Sequence, residues 1–230
     1  MRKFSISLCV LLGSTIFLPA DAQPGPLASC AQCHALTLSE IPEDKITHRM
    51  ERKAPDLHYA GRKFNQDWLV HWLQEPVRIR PGGVFFGRHV ETGPDGQDVI
   101  ASDSLLEHPS FNEKEAGDIA AALMSKSEVD AGLVPEGAYA GKGNVRFGKM
   151  AFVKLRGCIA CHENEPGKGG VSGPELYTSS QRLRPDFIAA MIARPQEIEP
   201  RSWMPHLEMS DRDVQNLTSY LMSLDPGEEQ

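Results

Sequence analysis

Two short strings of cysteine and histidine constrain this chain more than any other feature. Residues 30–34 read CAQCH and residues 158–162 read CIACH. This C-x-x-C-H spacing is the attachment signal for c-type haem, in which two thiols bond to the porphyrin and the adjacent histidine supplies a nitrogen to iron. The sequence therefore predicts two covalently bound haems c. The predicted attachment residues are Cys30, Cys33, Cys158 and Cys161, and the predicted proximal iron ligands are His34 and His162.

The cysteine pairs have two other interpretations. Each pair could be a thioredoxin-like dithiol, or both pairs together could form one zinc site. A redox dithiol does not require a histidine directly after its second cysteine, so it leaves the two histidines unexplained. A zinc site does not require an exported protein, so it leaves the export signal unexplained. The histidine that follows each pair favours haem attachment.

The N-terminus has the pattern of a secretory signal. Arg2 and Lys3 precede a mostly apolar run over residues 4–19, and a small-x-small cleavage pattern follows at residues 20–22. The run is shorter than the ~20 apolar residues that span a bilayer comfortably, which disfavours an uncleaved anchor. We expect a signal peptide over residues 1–22, export to the periplasm, and no membrane span after cleavage.

With two such strings in an exported chain, the sequence resembles the class I cytochromes c, and in particular a dihaem member with two fused domains. The resemblance covers essentially the whole mature chain and is stronger for the second half. It implies an all-α fold class, with two tandem helical domains that each enclose one haem c. The expected domains are residues 23–128, with a distal-side insertion at 77–111, and residues 129–230.

An internal repeat supports two copies of one unit. Pro-Asp-Leu at residues 55–57 corresponds to Pro-Glu-Leu at 174–176, an offset of 119 residues that also pairs later apolar positions. At an offset of 98, the segment that follows Asn112 corresponds to the one that follows Ser210. The pattern predicts a middle helix over about 65–74 and C-terminal helices capped by these two residues.

The two copies differ ahead of the haem strings. A helix over about 144–155 is predicted before the second string only, and the family resemblance implies a contact between its Gly148 and Tyr220. The first copy lacks this helix and has Ala122 at the position of Tyr220. We therefore expect a more exposed first haem. The resemblance also implies that the carbonyl groups of Pro55 and Pro174 accept a hydrogen bond from the proximal histidines.

The distal iron ligand of the second haem is predicted from the resemblance. A Met-Pro pair closes the distal side in the family, and Met204 precedes a proline just before the C-terminal helix. Met204 is therefore the expected thioether ligand, with His206 and Met209 as alternatives. A thioether ligand raises the reduction potential of the iron.

The distal ligand of the first haem is less determined by sequence. The stretch between Pro76 and Asn112 is 21 residues longer than its counterpart and contains no methionine. Its candidate ligands are His108 and His89, and an open iron is the third possibility. We favour His108, which stands before a proline near the helix cap, and a second histidine would give this haem the lower potential.

Composition limits the partners. The formal net charge is -7, which disfavours binding to nucleic acid and suggests docking on a basic surface. We expect an electron carrier that works between a dehydrogenase or quinol-oxidising complex and a terminal acceptor. The alternatives are a dihaem enzyme, peroxidase-like or oxidising sulfur compounds, with an open first iron, and an electron-transfer subunit of a larger oxidoreductase.

Overall fold

The computed structural model describes residues 25–41, 43, 49–79, 84–127 and 132–224. The predicted signal peptide lies outside these residues. The described chain is rich in helix and has one two-stranded sheet. None of its helices is long and apolar enough to cross a membrane.

The described part includes helical residues at 49–51 and eight α-helices with defined bounds, together with several single turns. The helices are α1 (Ala60–Lys63), α2 (Gln66–Gln74), α3 (Glu113–Met124), α4 (Val145–Met150), α5 (Ser179–Arg182), α6 (Pro185–Ala193), α7 (Pro195–Ile198) and α8 (Asp211–Met222). The 3-10 turns are Cys30–Gln32, Leu38–Glu40, Phe86–Arg88, Ser102–Ser104 and Cys158–Ala160, and a π-helical turn spans Ala151–Leu155.

The helix bounds follow the repeat in the sequence. Helices α1 and α2 become α5 and α6 when their bounds are shifted by 119 residues, and α3 becomes α8 when shifted by 98. The predicted middle helix and both C-terminal helices are therefore confirmed, and the helices of the two halves correspond one to one at these positions.

The caps predicted for the C-terminal helices are also confirmed. The Asn112 side chain accepts a hydrogen bond from the Glu115 N–H at 3.0 Å, and the Glu115 carboxylate accepts one from the Asn112 N–H at 3.1 Å. At α8 the Ser210 hydroxyl accepts from the Asp213 N–H at 3.2 Å. Each cap satisfies amide groups that the first turn leaves unpaired.

Helix α4 crosses α8 at the predicted glycine-aromatic contact. A Cβ atom placed on Gly148 would lie 2.0 Å from the Asn216 carbonyl oxygen and 2.6 Å from the Tyr220 Cβ. Phe152 continues the contact, with its ring centre 5.6 Å from that of Tyr220. Only a residue without a side chain permits this close crossing.

Among the described residues, the corresponding place in the first half is open. Ala122, at the repeat position of Tyr220, lines an open groove of about 330 Å³ together with residues 25–28 and Leu36. The absence of a helix at residues 25–28 and the small side chain of Ala122 occur together, as the sequence predicted.

The two halves meet about a local two-fold relation. The Asn65 N–H donates to the Arg182 carbonyl oxygen at 3.0 Å, and the Arg184 N–H donates to the Lys63 carbonyl oxygen at 2.9 Å. The residues of one hydrogen bond become those of the other when the 119-residue offset is applied. Equivalent residues of the two halves therefore make equivalent hydrogen bonds across the contact.

The expected all-α class needs one correction. Within the insertion, β1 (Val90–Thr92) and β2 (Asp98–Ile100) form an antiparallel hairpin. Its turn contains Gly93 and Gly96, and Gly96 has a φ of 80°, a conformation that favours glycine. Residues 93–96 of this turn read Gly-Pro-Asp-Gly, residue types that favour turns.

Candidate haem-binding sites

The two C-x-x-C-H strings adopt the same backbone turn. In the first string the Cys33 N–H donates to the Cys30 carbonyl oxygen at 3.1 Å, and in the second the Cys161 N–H donates to the Cys158 carbonyl oxygen at 3.1 Å. None of the four cysteines forms a disulfide, and the second cysteine of each pair is exposed. Burial raises the pKa of the Cys30 and Cys158 thiols. Both turns therefore present two thiols close together beside a histidine, as covalent attachment of a porphyrin requires.

Each histidine of these strings is oriented by a proline carbonyl. The His34 Nδ1 lies 2.7 Å from the Pro55 carbonyl oxygen, and the His162 Nδ1 lies 2.7 Å from the Pro174 carbonyl oxygen. A carbonyl can only accept, so Nδ1 carries the proton in both rings and Nε2 keeps its lone pair for a metal. Both hydrogen bonds were expected from the family resemblance.

The electrostatic surroundings keep both imidazoles neutral. Burial lowers the pKa of His34 and of His162, and this effect exceeds the opposing effect of the proline carbonyl groups. Nearby cations lower the pKa values further. Lys63 acts on His34, and Arg182 acts on His162. Lys63 and Arg182 occupy the same position of the repeat, so each proximal histidine has one repeat-related cation near it.

His108 lies beside His34. The centres of the two rings are 6.4 Å apart, and the ring planes are inclined by 62°. The His108 Nδ1–H donates to the Pro109 carbonyl oxygen at 2.9 Å, which leaves Nε2 available in this ring as well. Because an imidazole nitrogen binds a transition metal at about 2 Å, two axial imidazoles place their ring centres about 6 Å apart. The distance between the two ring centres therefore matches that of two imidazoles bound to one iron.

A row of aromatic rings supports His108. Its ring centre lies 4.6 Å from that of Trp72, which stacks on Trp68, which in turn stacks on Phe64, both at 5.7 Å. The Trp72 Nε1–H donates to the Val77 carbonyl oxygen at 2.8 Å. The stripe of α2 was predicted from its helical spacing, but its contact with His108 was missed because the insertion separates the two in sequence.

His89, the other candidate in the insertion, is placed differently. Its Nδ1 lies 2.9 Å from the Ser104 hydroxyl oxygen, and its carbonyl oxygen accepts from the Ala101 N–H. Both partners belong to the insertion. Arg78 also binds this part of the insertion, through the carbonyl oxygens of Ser102 at 2.6 Å and Leu105 at 3.1 Å.

The distal loop of the second half lies between α7 and α8. Met204 is half-buried there, and its N–H donates to the Ser202 hydroxyl at 3.1 Å. Of the two alternatives, His206 is exposed, whereas Met209 packs against the hydrophobic core. Met204 as the ligand stays a prediction.

The insertion of the first half reaches this distal loop. The Trp203 ring, adjacent to Met204, lies 5.2 Å from the Phe85 ring and 4.8 Å from the Arg49 guanidinium carbon. Both Phe85 and Arg49 belong to the first half. The surroundings of the second distal loop are therefore built partly by the first copy, which the sequence did not indicate.

A cluster of charged side chains joins the halves. Arg52 and Tyr59 donate to the Glu199 carboxylate at 2.6 and 2.5 Å, and Arg201 donates to the Asp56 carboxylate. Arg52 also lies 3.4 Å from Asp56. Arg52 and hydrogen bonds hold the pKa of Glu199 near 2 despite its burial. Burial and the charge of Glu199 raise the pKa of Asp56 to about 6.

The family model of cytochrome c matches residues 145–225. The matched segment begins with α4, contains the second C-x-x-C-H string and ends just after α8. The match supports a class I c-type cytochrome, a haem-based electron-transfer protein with covalently bound haem c. Comparisons with curated proteins and with solved structures gave no match for the chain.

Proposed function

We propose that the chain is an exported, periplasmic dihaem cytochrome c that carries single electrons between redox partner proteins, with one haem in each half. The observation that carries the proposal is the likeness of the two proximal sites. Residues 30–34 repeat the turn of residues 158–162, and both histidines donate to a proline carbonyl at 2.7 Å. The family match supports the second site, and this likeness extends the interpretation to the first.

Four side chains would hold the two irons axially. His34 and His108 supply the pair for the first haem, and His162 and Met204 supply the pair for the second. When bound, haem c provides a one-electron iron couple, and the protein sets its potential through these ligands. Two imidazoles favour Fe(III) relative to an imidazole and a thioether, so the first haem should have the lower potential.

A cation near each proximal histidine supports the same assignment. Haem carries two carboxylates, and a carboxylate that leaves water needs a nearby positive charge. Lys63 and Arg182 supply one cation in each half. Burial lowers the pKa of Lys63 to about 8, and its ammonium group lies 5.0 Å from the centre of the Phe64 ring. A haem carboxylate near Lys63 would offset this cost of burial.

The position of His108 favours a carrier over a dihaem enzyme. A peroxidase-like or sulfur-compound-oxidising enzyme needs an open or displaceable axial position for its substrate. In the first half His108 would take that position, since its ring centre lies 6.4 Å from that of His34. Aromatic packing by Trp72 holds the ring in place.

Haem counting tests the proposal. The chain is produced with a c-type haem maturation system, and covalent haem is measured by intact mass and by the pyridine haemochrome spectrum. We expect two haems per chain, one after the double change Cys30→Ala/Cys33→Ala, and one after Cys158→Ala/Cys161→Ala. A wild-type protein with a single haem would refute the dihaem assignment. Rapid turnover of peroxide or thiosulfate would favour the enzyme instead.

A further inference from the structure

A dense group of cations precedes the second haem string. Residues 142–156 contain five of the 24 Lys and Arg side chains of the chain and no Asp or Glu. All five are exposed: Lys142, Arg146, Lys149, Lys154 and Arg156. This local charge is opposite in sign to the net charge of -7.

Exposed apolar side chains lie among these cations. Four of the eight large apolar side chains that are exposed in the described chain fall within residues 145–155, and Phe147 and Leu155 are 55% and 64% exposed. The opposite face of this segment packs in the core through Gly148 and Phe152. The exposed side chains therefore contribute little to the packing of the domain core.

The two kinds of side chain form one surface, which we call the α4 stripe. It comprises Arg146, Phe147, Lys149, Met150, Val153 and Lys154. All but Phe147 line a shallow groove of about 250 Å³. An apolar centre with charged side chains at its edge is the usual composition of a protein contact surface.

The cations of the stripe are available to a partner. Arg156, outside the stripe, is paired with Asp213 at 2.8 Å. Glu165 is paired mainly with Lys168, and Lys149 affects its pKa only weakly. Within the described part of the chain, no carboxylate forms an ion pair with the three cations of the stripe. A carboxylate-rich partner would complement this surface.

The stripe leads directly into the second haem string. The π-helical turn Ala151–Leu155 ends the segment, Gly157 adopts a φ of 67°, and Cys158 follows. Lys154 stands four residues before Cys158. A protein seated on the stripe would lie next to the attachment edge of the second haem.

We propose that the α4 stripe is the docking surface for an acidic redox protein that exchanges one electron with the second haem, without any bond being made or broken. The inference rests on the proposed function and adds the charge of the partner. It reverses the expectation from net charge, because charges beyond about 8 Å are largely screened at physiological salt. Local charge then governs the encounter.

A small anionic oxidant tests the local charge. The holoprotein is poised so that only the higher-potential haem is reduced, and its oxidation by hexacyanoferrate(III) is followed by stopped flow at increasing ionic strength. We expect the rate to fall about threefold between about 100 and 500 mM ionic strength, a range in which the Debye length is about 10 Å or less and the distant acidic charges are screened. Lys149→Glu/Lys154→Glu should reverse this dependence. The control variant Lys53→Glu/Lys114→Glu changes the net charge by the same amount at exposed sites outside the stripe. Its oxidation rate should still fall with ionic strength.

Three outcomes would overturn the proposal. The wild-type rate could rise with salt, the two double variants could respond alike, or the protein could sediment with phosphatidylglycerol vesicles through the stripe, which would assign the surface to a membrane. Absence of haem absorption would refute the proposed function instead. The protein labelled for NMR is also titrated with polyglutamate, and its amide chemical shifts are followed. This test of the stripe does not depend on electron transfer by the haem. Shifts confined to other surfaces would contradict the proposal.

Discussion

At the scale of residues, His108 is the side chain on which the character of the first site depends. The Pro109 carbonyl and the Trp72 ring hold its ring in place, and its ring centre lies 6.4 Å from that of His34. Burial lowers its pKa, which keeps the imidazole in the neutral form that binds iron. Sequence reasoning favoured His108 over His89 from the proline and helix cap that follow it, but could not supply the ring-to-ring distance.

Replacement of His108 by alanine should open the first iron. In His108→Ala the oxidised protein should gain a high-spin optical band, and the reduced protein should bind about one carbon monoxide per chain, because no other imidazole faces His34 among the described contacts. Carbon monoxide titration measures this directly. His89→Ala is the matched control and should remain low-spin. If His108→Ala binds no carbon monoxide and stays low-spin, His108 is not the ligand.

At the scale of elements, the helices that the sequence predicted best are those with an apolar stripe. Helix α2 lies where this spacing placed it, and α3 and α8 lie where spacing and capping residues together placed them. The hairpin of the insertion was not predicted, because its strands are only three residues long and carry no clear alternation. Strands this short owe their pairing to the turn between them, and they contain too few residues to show an alternating pattern.

The crossing of α4 and α8 should be sensitive to a single methyl group. Gly148→Ala places a Cβ against the backbone of α8, so we expect the free energy of unfolding to fall by about 1–3 kcal/mol. Thermal and denaturant unfolding of the holoprotein measure the change. Gly117→Ala is the control, because that glycine lies within α3 with open space around it and should stabilise by about 0.5–1 kcal/mol. Equal effects of the two changes would contradict the close crossing.

At the scale of the whole molecule, the repeat predicted which helices correspond but not how the halves meet. An offset between sequences carries no information about relative orientation. The reciprocal hydrogen bonds of Asn65 and Arg184 and the cluster around Glu199 became visible only in three dimensions. The ion pairs of this cluster join residues 145 and 147 positions apart, and single-sequence patterns do not identify such partners.

The cluster between the halves should make stability depend on pH through Asp56. Its folded pKa of about 6 lies above the ordinary value of 3.8, so its contribution is fully present below about pH 4 and is lost as pH rises through about 6. Glu199, with a folded pKa of about 2, contributes a constant amount above about pH 5. Between about pH 5 and 7, wild type should therefore lose stability relative to Asp56→Asn as pH rises.

Urea unfolding of both holoproteins across this range measures the difference. The matched control is Asp118→Asn, at an exposed ion pair on α3, where the difference from wild type should stay nearly flat with pH. A difference between wild type and Asp56→Asn that is also independent of pH would show that the Asp56 carboxyl is ionised throughout.

Near-infrared magnetic circular dichroism of the fully oxidised holoprotein decides whether one electron carrier holds two six-coordinate haems of unequal ligation. The spectrum reports the spin state and ligands of each iron without a partner protein. We expect one low-spin histidine-histidine signal and one low-spin histidine-methionine signal of equal intensity. A high-spin component, or two signals of the same ligand type, would contradict this expectation.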